Sequence, residues 1–145
     1  MQNAVPSPID VYFALLPGSL VLDWAGPAEA LRIANQTLAK QGQPERFVQH
    51  FVSPTTESVS SVGAVLTRLE PLPATLPSPA WVVLVGLAGQ HIAVDGDEAR
   101  ALLHWLRGLR PVAGQLELIT VCAGSVLAAH AGLLTGRRAT THHQH

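Results

Sequence analysis

The sequence predicts an α/β domain built on a parallel sheet, and three observations carry that prediction. Ile9–Leu16 is a near-continuous apolar run of the kind buried on both faces of a sheet, Trp81–Val85 is a core-type strand, and Leu116–Val121 is a further clear strand. Between such runs, apolar residues recur at helical spacing: Ala28, Leu31, Ala34 and Leu38, then Ala99, Leu102, Leu103 and Leu106. Strands that alternate with helices pair in parallel through right-handed crossovers. The 145 residues amount to one domain, 1–145, long enough to bury about two-thirds of the surface of the unfolded chain.

The elements follow in order. The first strand is rich in β-branched and aromatic residues and stops at Pro17-Gly18. Pro27 suits a first helical turn, where its missing N–H costs nothing, and Gly42 ends the helix behind it. Phe47–Val52 is the second strand, Ser53–Ser61 a Ser/Thr-rich connection, and Val62–Leu69 a weaker extended stretch. Pro71, Pro73, Pro77 and Pro79 make the next segment a surface loop, because proline removes donors and fixes φ. After Trp81–Val85 and Gly86, Asp95 with Glu98 resembles a capping box for a helix ending near Gly108 and Pro111. The last strand runs into Cys122-Ala123-Gly124-Ser125 and a helix over Val126–Ala131.

Composition excludes several function classes. The chain is 48% hydrophobic and 13% charged, which is not the composition of a disordered segment. Its net charge of −1 offers no basic excess for phosphates, so direct nucleic-acid binding by this segment is not expected. No apolar run is long enough to span a bilayer, residues 1–6 do not read as a secretory signal, and one cysteine cannot make an intrachain disulfide.

The chemistry concentrates in three places. Cys122 stands where a strand turns into a helix, the geometry of a nucleophile elbow, and its small neighbours suit so sharp a turn. A helix start favours a thiolate, and its free N–H groups can hold an oxyanion. The alternative is a small buried residue, as most free cysteines are. Thr120 replaces the glycine of the generic elbow pattern. Asp23 lies after the first strand, on the sheet edge that Cys122 would share, where a carboxyl can act on the thiol or simply cap a turn before Pro27. Glu29 suits the dipole of the first helix. Gly86 lets backbone approach a ligand, or makes the turn. His142, His143 and His145 form a terminal cluster that reads as chelating residues or a tag remnant, and a histidine brought to Cys122 would serve as base. His50, His91, His104 and His130 are isolated and read as packing or surface residues.

Taken together, Leu22–Leu31, Trp81–Gly86 and the long run from Val121 through Ala139-Thr140-Thr141-His142 resemble the ThiJ/PfpI family of the glutamine-amidotransferase-like superfamily. Two branches are similar: isonitrile hydratases and the N-terminal sensor domain of AraC-type transcription regulators. The resemblance implies a flavodoxin-like sandwich with Cys122 on the elbow and Asp23 as the acid contacting it. It also implies a ligand pocket at Gly86, Leu87, Ala123 and Gly124, and His142 as a possible catalytic histidine. The hydratase branch favours a threonine after the cysteine and a tryptophan after the histidine; here they are Ala123 and His143. The missing hydroxyl removes a proton-transfer group. The expectation is therefore a small-molecule sensor domain of an AraC-type regulator, cytoplasmic and homodimeric, using no metal or cofactor and without catalytic activity. An isonitrile-hydratase-like lyase, another cysteine-dependent hydrolase, and a thiol sensor of oxidants or electrophiles are the alternatives. The family pattern extends past His142, so the C-terminal part of the domain and the DNA-binding domain are expected outside this chain, with one sheet edge and one helical face uncovered.

Overall fold

The structure, a computed structural model, describes residues 6–141. Four parallel strands form the main sheet in the order β2-β1-β5-β6: β1 Ile9–Ala14, β2 Phe47–Val52, β5 Ala80–Leu84 and β6 Leu116–Thr120. Between β2 and β5, a short antiparallel hairpin pairs β3 Glu57–Val59 with β4 Val65–Thr67. The helices are α1 Val21–Lys40, α2 Asp97–Arg107 and α3 Gly124–His130.

Side chains alternate across a strand, so β1 and β5 feed two cores. Val11, Phe13, Leu15, Val83 and Val85 face α1, meeting Ala28, Trp24 and Leu31. Tyr12, Ala14, Leu16, Val82 and Leu84 face α2 and α3, meeting Leu102, Leu103, Leu106, Leu127 and Ala128. Both central strands are almost wholly buried, which is why they carry uninterrupted apolar runs. This is the parallel α/β sandwich the sequence predicts.

Four local expectations change. The Ser/Thr-rich connection and the weak stretch after it contain the hairpin, whose strands are only three residues each. The first strand ends at Ala14, although Leu15 N–H still bonds the Val52 carbonyl. Helix α1 starts at Val21 rather than at Pro27, which lies inside it. Proline in a helix interior removes a bond from the carbonyl four residues before it, and tertiary contacts upstream offset that loss. Asp23 bonds the Gly86 amide, and Trp24 packs edge-on to Phe51 at 5.9 Å. The N-cap of α2 is Gly96, not Asp95, and no side chain caps it. Arg100 bonds both the Asp95 carbonyl and the Asp97 carboxylate, fixing the turn one residue later than the capping-box spacing implies.

Among the described residues no helix is long and apolar enough to cross a membrane.

Candidate functional site

The carboxyl ends of β1, β5 and β6 lie side by side, and the loops leaving them bring Asp23, Gly86 and Cys122 together. Ligands bind at this edge in open α/β sheets.

Cys122 follows β6 in a tight turn. Its φ is +51°, a left-handed conformation that an L-residue with a side chain rarely adopts. Such strain costs of order 1–3 kcal/mol and persists only where the surroundings enforce it. Here they do so from both sides. Val121 N–H bonds the Leu84 carbonyl at 2.8 Å and so belongs to the sheet, while Gly124 N–H bonds the Val121 carbonyl at 2.9 Å and starts α3. The Cys122 carbonyl accepts from Ser125 Oγ at 3.4 Å and Thr141 Oγ1 at 3.3 Å. The side chain is exposed, so Cys122 is not the buried packing residue that was the alternative reading. A sequence reading had no signal for the hydroxyl of Thr141, because nineteen residues separate it from its partner.

The small residues after the cysteine have separate reasons. A Cβ on Gly124 would fall 2.2 Å from the Leu84 carbonyl oxygen, so glycine is required for α3 to seat on β5. Ala123 is buried beneath the turn.

Gly86 is the hub. A Cβ there would lie 2.9 Å from Asp23 Oδ2 and 3.3 Å from the Cys122 Cβ, so acid and cysteine flank one point that a side chain would fill. The Gly86 N–H donates to Asp23 Oδ2 at 2.9 Å, and its carbonyl accepts from Leu20 N–H at 2.9 Å. Asp23 is thus the third residue of α1 and not a cap, since the N-cap is Leu20. Its carboxylate is tied to the Gly86 amide, and among the described residues no hydrogen bond joins it to the thiol. Glu29 lies six residues beyond Asp23 on α1, more than one and a half turns, and pairs with exposed Arg32, away from the site.

Leu87 leads from this edge into a neighbouring cleft of about 230 Å³, which Leu16, Pro17, His91 and Glu98 also line. His142, with His143 and His145, lies outside the described residues. Among the described residues, no group of His, Cys, Asp and Glu is arranged to hold a metal ion.

One cluster escaped the sequence reading. His50 is not isolated: Nε2 lies 2.8 Å from Asp10 Oδ1, Nδ1 lies 3.2 Å from Glu70 Oε2, and its ring stacks on Tyr12 at 4.5 Å. The only sequence signal was an acid, Asp10, inside a core strand. Burial, reinforced by the charges of Asp10 and Glu70, raises the Tyr12 phenol above its ordinary value.

Comparison with known proteins gives the fold its place. No family model matches the chain. The HTH-type transcriptional regulator CdhR of Pseudomonas aeruginosa is 33% identical over 142 residues, covering 92% of this chain. The chain spans only 36% of that regulator's length. Among solved structures, an AraC family transcriptional regulator from Pseudomonas putida superposes with a TM-score of 0.63 at 17% identity, covering 94% of this chain and 68% of that one. A ThiJ/PfpI family protein from Bacillus anthracis also gives 0.63, at 13% identity over 92% of this chain and 60% of that one. In fold, the chain is a flavodoxin-like domain of the type seen in ThiJ/PfpI proteins and in AraC-family regulators.

Proposed function

We propose that this chain is the effector-sensing part of an AraC-type transcription regulator, binding a small molecule at the Cys122–Gly86–Asp23 edge without turning it over. The regulator context rests on the likeness to CdhR. One observation carries the non-catalytic reading: Asp23 Oδ2 holds the Gly86 N–H. That bond takes up one oxygen of the acid that would move protons and one of the amides that would stabilise an oxyanion. Ala123 adds no hydroxyl in their place. What is left is a preorganised edge with an exposed thiol, suited to recognition. In this reading the protein works in the cytoplasm, and its DNA-binding segment lies outside these 145 residues.

A second reading, a cysteine-dependent lyase or hydrolase, is favoured by the strained and exposed Cys122, since strain of this kind clusters at reactive positions. One set of measurements separates the two. Purified protein is screened against a library of polar metabolites by thermal shift, and separately incubated with cyclohexyl isonitrile while the N-substituted formamide is assayed. The sensor reading expects a stabilising compound whose effect is lost in Gly86→Val, and no formamide. Formamide production that disappears in Cys122→Ser would replace the sensor reading with the enzyme. A library that stabilises neither the wild type nor Asp23→Ala would remove the support for a ligand site at this edge.

A further inference from the structure

A second cavity lies on the α1 face of the sheet and shares no lining residue with the Cys122–Gly86–Asp23 edge. Its volume is about 320 Å³, at the lower end of the range for small-molecule sites. The buried Leu15 and Leu69, with the half-buried Trp24, Phe51 and Leu66, supply apolar walls. The aromatic pair meets edge to face, with ring centroids 5.9 Å apart. The indole N–H of Trp24 has no hydrogen-bond partner among the described residues, so packing alone holds that ring. Thr67 and Arg68 are exposed, so the cavity opens to solvent at the end of β4. Arg68 is the one charged residue in the lining, and it forms no ion pair among the described residues. Its backbone is strained. Arg68 has a φ of +60°, and only Cys122 among the other described non-glycine residues has a positive φ. Glycine would hold this conformation at little steric cost, and such strain clusters at active sites and ligand clamps. The next two amides enforce it: Leu69 N–H bonds the Thr56 carbonyl at 3.0 Å and Glu70 N–H bonds the Phe51 carbonyl at 2.9 Å. The arginine is therefore fixed beside the cavity by the chain that follows it.

We propose that this cavity is a second ligand site, taking a small aromatic monocarboxylate with its ring against Trp24 and Phe51 and its carboxylate at Arg68. Aromatic walls favour a ring, which packs on them edge-on or offset. A planar guanidinium matches a carboxylate with two parallel hydrogen bonds. A sugar would leave its hydroxyls unpaired against these walls, and the volume suits a single ring. The neighbouring cleft beside Leu87 has the opposite preference, because Asp95 and Glu98 line it and would repel an anion. No acid lines the Arg68 cavity.

Titration with phenylacetate, followed by the indole N–H signals in nitrogen–proton NMR spectra, tests this. The chain has three tryptophans, and Trp24→Phe identifies the Trp24 signal. Phenylacetate should shift that signal saturably, with a dissociation constant below about 1 mM. It should leave the signal of Trp105, which bonds the Pro73 carbonyl on the other face of the sheet. Phenylacetamide has the same shape without the charge and should bind at least about tenfold more weakly. Arg68→Gln alters an exposed side chain with no ion pair, so the urea midpoint should hold while the affinity for the acid falls to that for the amide. No shift of the Trp24 signal up to about 10 mM phenylacetate overturns the site. Equal affinity for acid and amide in the wild type, or a preference for the acid that survives Arg68→Gln, overturns the role of the carboxylate. Shifts confined to the amides of Gly86, Ala123 and Gly124 would place the compound at the Cys122 edge and overturn the second site.

Discussion

Helices α1 and α2 lie on opposite faces of the same sheet and are held there by different forces. Helix α2 buries Ala99, Leu102, Leu103 and Leu106 on one stripe and presents its charges to solvent. Burial of apolar surface holds it, and that force is strong but not directional. The longer α1 fully buries only Ala28, with Trp24 and Leu31 partly buried beside it, and is pinned in addition by polar clasps. Asn35 accepts from the Arg46 and Phe47 amides, both at 3.0 Å, and donates to the Phe47 carbonyl at 2.7 Å. Gln49 Nε2 donates to the Ala28 carbonyl at 3.0 Å, and Asp23 holds the Gly86 amide. Hydrogen bonds fix direction where burial does not, so α1 is the helix whose register bears on the site: its third residue must reach Gly86.

The comparison breaks most visibly if burial on α2 is removed. Leu106→Ala truncates a wholly buried side chain and should cost about 2–5 kcal/mol, read as a drop in urea midpoint. The matched change on α1, Leu31→Ala, affects a half-buried side chain and should cost clearly less. Equal losses would mean that α1 is held by burial after all. Gly124→Ala tests the seat of α3 on the α2 side. The added methyl meets a backbone carbonyl that cannot swing aside, so a loss of about 3 kcal/mol is expected. The loss should come with faster alkylation of Cys122, because the turn that holds it loosens.

The same contrast explains what the sequence made legible. The strand Phe47–Val52 and the core faces of α2 were readable because periodicity encodes burial directly. The turn at Cys122 was readable from residue type, since a small-residue run between strand and helix has few other uses. The start of α1 was not. Pro27 locally argues for a helix beginning there, and only the remote amide of Gly86 and the ring of Phe51 explain why the helix begins six residues earlier. Polar clasps couple residues far apart in sequence, such as Asp23 with Gly86 or Asp10 with His50, and leave no periodic trace. The site was therefore legible residue by residue, while the bond that gives Asp23 its role was not.

Removing a clasp is the smaller test. Asn35→Ala leaves two amides and a carbonyl of the β2 entry without their partner, at a cost of about 1–3 kcal/mol. Unlike Leu106→Ala, it should also act at a distance. If α1 is steered by its clasps, hydrogen exchange should quicken at the Gly86 amide, which the Asp23 carboxylate protects. A loss of stability with unchanged exchange at Gly86 would show that Asn35 holds β2 and not the helix.

The smallest effect is a pH dependence on the α2 side, where the buried Tyr12 ring sits in a face held mainly by burial. Burial first, then the charges of Asp10 and Glu70, raises its phenol above the ordinary 10.0. In the unfolded chain the phenol ionises near that ordinary value, while the folded chain keeps its proton to higher pH. Between the two values the folded state binds more protons, so stability falls as pH rises. The contribution is fully present below pH 10.0 and is lost as pH climbs through the raised folded value. The chain has a single tyrosine, so tyrosinate absorbance near 295 nm reports this group alone. Folded protein should titrate later than urea-unfolded protein, and Tyr12→Phe should flatten the fall in urea midpoint above pH 10.0 while changing little at neutral pH. Coincident titration of the folded and unfolded chains would mean that Tyr12 is solvated, and that the α2 face is not sealed by burial at the end where Asp10, His50 and Glu70 meet.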